Sequence, residues 1–299
     1  MNNPFRGLGT ALITPFTSEG SVDYDCLASL TERQIASGVD FLCVLGTTAE
    51  TPTLSNDEKL RIMQTVARVN AGRVPLLLGA GGNYTHQVCQ WIRETNLSAY
   101  QGLLIVAPYY NKPSQEGLFQ HFKAVSAASP LPLILYNIPG RTGVNISPDI
   151  VLRLIADSSN IVGIKEASGN RDQISRLLRE TPDYFGVISG DDGLTYPMIT
   201  CGAVGVISVI GNALPKEFSK MLRYEMKGEM EPALRIHHQF TELFKLLFVD
   251  GNPAGVKCIL HEMGMIENVL RLPLVPTRVS TVQKISDCMK ELKEMDNET

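Results

Sequence analysis

Eight short apolar runs punctuate the chain up to Ser208, and polar stretches with helical patterning separate them. The runs are Gly9–Thr14, Phe41–Leu45, Pro75–Gly79, Gly102–Ala107, Leu133–Asn137, Ile161–Lys165, Phe185–Ser189 and Gly205–Ser208. A strand that is apolar at nearly every position has both faces buried, as in a parallel sheet covered by helices. Parallel neighbours need long crossovers, and the separating stretches supply them. Asp23–Ser37 carries Leu27, Leu30 and Ile35 at helical spacing, and Asp57–Val69 carries Leu60, Ile62, Met63, Val66 and Ala67. Ser55 with Glu58 three residues on has the pattern of a capping box. Ser114–Ala128 and Pro148–Ala156 read as further helices, the latter with Ser147 as cap and Pro148 at its first position.

This repeat predicts an α/β chain folded as a (β/α)₈ TIM barrel, a fold of typically about 250 residues. The rival is a doubly wound open sheet, which usually carries a glycine-rich phosphate turn after its first strand. Here the first run passes into Thr14-Pro15-Phe16. Beyond Ser208 the pattern changes. Pro215–Glu229, Glu231–Phe248, Asn252–Met263 and Ser280–Met295 read as helices with no strands between them. The expected organisation is therefore a catalytic barrel over residues 1–225 and a C-terminal helical region over residues 226–299.

Composition narrows the partners. The 299 residues are 44% hydrophobic and 19% charged, as in a soluble globular protein. A net charge of −4 offers no broad attraction to nucleic acid or to an anionic membrane. The opening Met1-Asn2-Asn3-Pro4-Phe5 lacks the pattern of a secretory signal, and no apolar run approaches the roughly 20 residues of a membrane span. Cys26, Cys43, Cys89, Cys201, Cys258 and Cys288 are scattered with no CxxC pair, which suits free thiols in a reducing cytoplasm.

In a TIM barrel the chemistry sits at the C-terminal ends of the strands. Lys165 closes the apolar run Ile161-Val162-Gly163-Ile164-Lys165. Burial of that run strips water from the amine, which disfavours the ammonium form, and a neutral amine is what attack on a carbonyl requires. The competing reading is a lysine paired with Glu166 or Asp191. Tyr136 ends the preceding run, and a phenol beside a reactive amine can shuttle protons; otherwise it caps the barrel core. Tyr110 and Thr47 add hydroxyls at other strand ends, each able to donate and accept. Arg141 follows in Asn137-Ile138-Pro139-Gly140-Arg141, where a guanidinium can grip a carboxylate through paired hydrogen bonds unless it is a solvated surface arginine. His237 and His238 are adjacent on a helix and point apart, Asp191-Asp192 has no further ligands at metal spacing, and Gly79-Ala80-Gly81-Gly82 is too short a signal for a phosphate cradle. No metal or organic cofactor is expected.

Three motifs carry a resemblance. Gly46-Thr47-Thr48-Ala49-Glu50, Tyr136-Asn137-Ile138-Pro139 and Gly163-Ile164-Lys165-Glu166-Ala167-Ser168-Gly169 resemble the dihydrodipicolinate synthase/N-acetylneuraminate lyase superfamily. Pro108-Tyr109-Tyr110-Asn111 and Ser189-Gly190-Asp191-Asp192 narrow it towards the synthase branch. Ala49 departs from the family's usual glycine. The resemblance implies a class I lyase that holds pyruvate as a Schiff base on Lys165 and condenses it with L-aspartate 4-semialdehyde, towards diaminopimelate and lysine. It implies Tyr136 as proton donor and acceptor, with Thr47 and Tyr110 in the relay and Tyr110 reaching in from a neighbouring subunit. Thr48 and Ile207 would bind pyruvate, Thr48 through the carboxylate, and Arg141 would orient the second substrate. It also implies a homotetramer built from tight dimers. The alternatives are a sister pyruvate-dependent aldolase, such as N-acetylneuraminate lyase, or a catalytically silent barrel that binds a keto acid.

Overall fold

The computed structural model describes residues 3–297. The strands are β1 (Gly7–Ala11), β2 (Phe41–Val44), β3 (Leu76–Gly79), β4 (Gly102–Val106), β5 (Leu133–Asn137), β6 (Ile161–Glu166), β7 (Gly186–Ser189) and β8 (Gly205–Ser208). The helices are α1 (Tyr24–Ala36), α2 (Asn56–Asn70), α3 (Thr85–Glu94), α4 (Gln115–Ala128), α5 (Pro139–Thr142), α6 (Pro148–Asp157), α7 (Arg171–Glu180), α8 (Thr195–Thr200), α9 (Pro215–Met226), α10 (Met230–Val249), α11 (Ala254–Glu262) and α12 (Val279–Asn297). No helix of the described residues is long and apolar enough to cross a membrane.

The chain forms two compact units. The first holds the segment up to Gly9, Asp40–Cys43 and Val74–Ile207. In it the strands pair in sequence order into a closed parallel barrel, as the eight apolar runs predict. Closure is visible in single bonds: Gly7 N–H donates to Val204 O at 2.9 Å, Asp40 N–H to Leu8 O at 2.8 Å and Leu42 N–H to Pro75 O at 3.0 Å. Where β8 meets the start of β1 the backbones touch. A Cβ on Gly205 would lie 2.3 Å from Gly7 O, so only glycine fits there. Every strand residue except Gly79 and Val106 is buried, the double-sided burial that the continuous apolar runs required.

The second unit holds Thr10–Val39, Val44–Arg73 and the chain from Ser208 onward. It therefore draws on both sides of the 225/226 boundary expected from the sequence. Polar bonds between distant segments explain the grouping. Arg33 donates to Asn212 O at 2.9 Å and Ala213 O at 2.7 Å, and Gln34 Nε2 donates to Gly211 O at 2.9 Å. Phe218, Phe240 and Phe244 pack ring against ring between α9 and α10. Lys257 of α11 and Glu50 form a fully buried ion pair at 2.5 Å. Burial outweighs the attraction of Glu50 and pushes the Lys257 ammonium down to about 8.

β5 and β8 match their expected bounds, but β1 lies earlier than the Gly9–Thr14 run and ends at Ala11. The residues beyond are still buried, but their polar groups leave the ladder. Ile13 N–H donates to Asn212 Oδ1 at 3.1 Å and Thr14 Oγ1 to Ala49 O at 2.8 Å. Apolar continuity marks burial, not pairing. α3 and α7 escaped the sequence pattern because each is short and strongly polar, with only three residues buried in each.

Glu58 does two jobs in the second unit. Its Oε2 accepts from Ser55 N–H at 2.8 Å while Ser55 Oγ accepts from Glu58 N–H at 3.2 Å, so the capping box read from the sequence is present. Its carboxylate also receives both Nη groups of Arg271, at 2.8 and 2.6 Å. The Arg271 bonds hold the Glu58 carboxyl at about 2, against 4.5 for a free one. A depressed carboxyl stabilises the fold fully above its unfolded value and loses that contribution as pH falls towards the folded one. Glu58→Gln is therefore expected to cost about 1–2 kcal/mol at pH 7, with the gap to the parent protein shrinking by roughly half at pH 3. Urea unfolding midpoints of both proteins at the two pH values check this. An equal gap at both would refute the linkage.

Candidate active site

Side chains on a strand alternate between faces, and register partners in neighbouring strands share one. Tyr136 of β5, Lys165 of β6 and Ile188 of β7 are register partners. Lys165 is only 6% exposed, and its Nζ lies 4.4 Å from the centroid of the Tyr136 ring. The pair that the sequence singled out is thus brought together inside the barrel. Buried Cys43 of β2 feels the same amine: desolvation pushes its thiol up to about 11, and the charge of Lys165 pulls in the other direction.

Glycine leaves room for the lysine chain. A Cβ on Gly190 would meet Ala167 Cβ at 2.7 Å and Lys165 Cε at 3.0 Å. Neither proposed ion-pair partner reaches the amine. Asp191 Oδ1 caps the turn after β7, accepting from Gly193 N–H at 2.8 Å and Leu194 N–H at 3.3 Å. Among the described residues no carboxylate forms an ion pair with Lys165. An unpaired amine in a largely apolar interior beside a phenol has the attributes needed for imine formation with a carbonyl.

Glu166 is committed elsewhere. One residue on from Lys165, it projects to the opposite face, together with its register partners Asn137 and Ser189. Its carboxylate is buried and accepts from Asn137 Nδ2 at 3.0 Å, Ser168 N–H at 2.7 Å and Gln173 Nε2 at 2.9 Å. Asn137 Nδ2 also donates to Asn145 Oδ1 at 2.8 Å, and Asn137 Oδ1 accepts from Ile146 N–H at 2.9 Å. The loop that carries Arg141 is therefore pinned behind the reactive strands at both of its ends. Arg141 itself lies in the four-residue helix α5 and is exposed. The sequence reading missed this scaffold, although strand alternation alone sends Asn137 and Glu166 to the face opposite Tyr136 and Lys165.

Tyr110 is not buried with Lys165 and Tyr136. It is 85% exposed, and its φ of +76° places it in the left-handed region. Such a backbone costs a β-carbon residue of the order of 1–3 kcal/mol and persists only where its surroundings enforce it. Asn111 N–H closes the turn onto Tyr109 O at 3.0 Å. Ile207 is buried near the end of β8.

Thr47 and Thr48 belong to the second unit, at the start of a single 3₁₀ turn after β2. Leu45 and Glu50, with φ of +56° and +55°, bracket the turn. Thr51 Oγ1 bonds to Leu45 O at 3.0 Å and Gly46 O at 2.8 Å, and Ala49 O receives the Thr14 hydroxyl. Ala49, the departure from the family pattern, is accommodated as a buried residue in this turn. Thr48 is buried and its Oγ1 accepts from Asn252 Nδ2 at 3.0 Å.

Comparison with known proteins gives one consistent result. The family model described as the dihydrodipicolinate synthetase family matches residues 4–292. The chain is 56% identical over 288 residues to the 4-hydroxy-tetrahydrodipicolinate synthase of Phocaeicola vulgatus, covering 96% of this chain and 97% of that one. It is 53% identical over 287 residues to the same enzyme of Parabacteroides distasonis, at 96% and 97% coverage. Among solved structures, the 4-hydroxy-tetrahydrodipicolinate synthase of Methylacidiphilum fumariolicum superposes with a TM-score of 0.94 at 40% identity, covering 97% of this chain and 96% of that one.

The Glu166 scaffold makes a stability prediction. Glu166→Leu would remove the acceptor that Asn137, Ser168 and Gln173 share, and is expected to cost about 2–4 kcal/mol, whereas Glu166→Gln keeps an acceptor and costs less. Denaturant unfolding of the two variants checks the order. A leucine variant within 1 kcal/mol of the parent would mean that the network does not hold these strand ends.

Proposed function

The chain belongs to the dihydrodipicolinate synthetase family, and from that membership we propose that it is a class I lyase condensing pyruvate with L-aspartate 4-semialdehyde to give 4-hydroxy-tetrahydrodipicolinate, in diaminopimelate and lysine biosynthesis. The observation that carries this reading is the buried Lys165 amine, without a carboxylate partner among the described residues and 4.4 Å from the centroid of the Tyr136 ring.

The neutral amine of Lys165 attacks C2 of pyruvate and water leaves, forming the imine. The imine nitrogen draws electrons and acidifies the methyl group, which loses a proton to give an enamine. The enamine carbon attacks the aldehyde of the second substrate, whose carbonyl oxygen takes up a proton and becomes the 4-hydroxyl. The amino group of that substrate then attacks the imine carbon, closes the ring and releases Lys165. Lysine nitrogen is the electron sink, so the chemistry needs neither metal nor organic cofactor.

Tyr136 gives and takes the protons of imine formation and release, relayed through Thr47 and Tyr110. Thr48 and Ile207 bind pyruvate, Thr48 by its carboxylate, and Arg141 orients the carboxylate of the semialdehyde. Tyr110 acts in the site of a neighbouring subunit; its exposed ring and left-handed backbone support this. The working form is a cytoplasmic homotetramer of tight dimers, and the division of labour is a catalytic barrel over 1–225 with a helical region over 226–299.

Borohydride reduction with pyruvate is expected to add one pyruvate-derived mass per subunit on the Lys165 peptide, and Lys165→Ala to abolish it. Tyr136→Phe should lower kcat by about 10²–10⁴-fold. An unmodified parent protein would leave only a silent barrel, and turnover of N-acetylneuraminate in place of the semialdehyde would move the chain to a sister aldolase.

A further inference from the structure

We infer that Asn252 is a positioning residue for pyruvate: its amide turns the hydroxyl proton of Thr48 towards the substrate carboxylate. The inference rests on the proposed role of Thr48 as the carboxylate-binding residue.

A threonine hydroxyl has one proton to donate and two lone pairs to accept with. A carboxylate only accepts, so a threonine that holds one must donate. Left to rotate, the hydroxyl would share its proton among whatever acceptors lie near. Asn252 Nδ2 donates to Thr48 Oγ1 at 3.0 Å and so fills one lone pair. The proton then cannot point along that line and is left for a partner on another side. Both residues are nearly sealed from solvent, Thr48 at 2% exposure and Asn252 at 6%, so bulk water does not compete freely for the bond.

The surrounding segment is built to hold this direction. Asn252 lies two residues before α11, and Lys257, the fourth residue of that helix, pairs with Glu50 at 2.5 Å. Residues 252–257 therefore grip the Thr47–Glu50 turn at two points, one on a hydroxyl and one on a carboxylate. α11 cannot slide. A Cβ on Gly255 would lie 2.6 Å from Leu247 Cα and 2.8 Å from Leu247 O, so its start is pressed onto the end of α10. Lys257 Nζ also donates to Val269 O at 2.9 Å and sits 4.1 Å from the centroid of the Phe16 ring. A residue of the C-terminal helical region, far in sequence from any barrel strand, would thus set substrate affinity.

The test uses Asn252→Leu, which keeps the size and removes the donor, and Asn252→Asp, which keeps the shape but can only accept. Steady-state kinetics should show KM for pyruvate raised about 10-fold in the leucine variant and at least as far in the aspartate variant, with kcat within about 3-fold of the parent. The pyruvate concentration for half-maximal borohydride trapping should rise in parallel. In a Thr48→Val background, Asn252→Leu should change KM little further, because the hydroxyl it orients is gone. If the leucine variant fails to fold, the aspartate variant carries the test. An unchanged pyruvate KM in either folded variant overturns the inference, as does a full additional loss in the Thr48→Val background, which would mark a merely structural role. The parent protein separates this from the broader reading: if it forms no pyruvate adduct at all, the proposed function fails first.

Discussion

The two-residue period of the β-strand is the constraint on which this site depends. It sends Tyr136, Lys165 and Ile188 to one face of the sheet and Asn137, Glu166 and Ser189 to the other. On a flexible chain a lysine and a glutamate adjacent in sequence are free to meet. On β6 they cannot, because the strand holds them on opposite faces. Neutral donors from Asn137, Ser168 and Gln173 satisfy the carboxylate, and among the described residues the amine has no carboxylate partner. That separation is what the proposed nucleophilic role of Lys165 requires. A one-residue register slip would bring the carboxylate inside and the amine out.

That same alternation decides how much could be read from residues alone. Eight double-sided strands announce themselves as apolar runs, so the barrel and the positions of Lys165 and Tyr136 at neighbouring strand ends were legible. Thr47 and Arg141 stood out only as a hydroxyl and a guanidinium at strand ends, and Thr48 and Ile207 were reached through the motif resemblance alone, because such a group has no chemical signature of its own. The end of β1 was misplaced since Leu12–Thr14 are buried without strand pairing. Asn252 was invisible. Its partner Thr48 lies 204 positions away, and no local pattern records a bond across such a separation. The two compact units were equally hidden, because side chains such as Arg33 and Arg271 tie α1 and α2 to the C-terminal part through backbone carbonyls and Glu58.

The strain around the candidate residues is unevenly spread. Leu45 and Glu50 bracket the threonine turn with left-handed backbones, and Tyr110 and Lys112 do the same after β4. Each such residue costs free energy that the surroundings must offset. Around the threonines the compensation is visible: Thr51, Thr14 and Lys257 all bond to the turn. Around Tyr110 the turn is closed by the Asn111 N–H on Tyr109 O, and the ring stands in solvent. Such an exposed, left-handed residue suits the proposed placement of Tyr110 against a second subunit.

The Lys257–Glu50 pair follows the same logic. Both side chains are fully buried, and removing two charges from water costs more than their attraction usually returns. Burial prevails over the partner's charge at Lys257, which is why its ammonium is held down near 8. An apolar pair of similar volume would serve stability at least as well. It would not fix direction. Glu50 is at once the left-handed end of the threonine turn, the acceptor for Arg271 N–H at 3.1 Å and the anchor for α11. Only a group with several directed acceptors can bind three segments at set angles. The pair is therefore better explained by the orientation it imposes on Thr47 and Thr48 than by any net gain in stability.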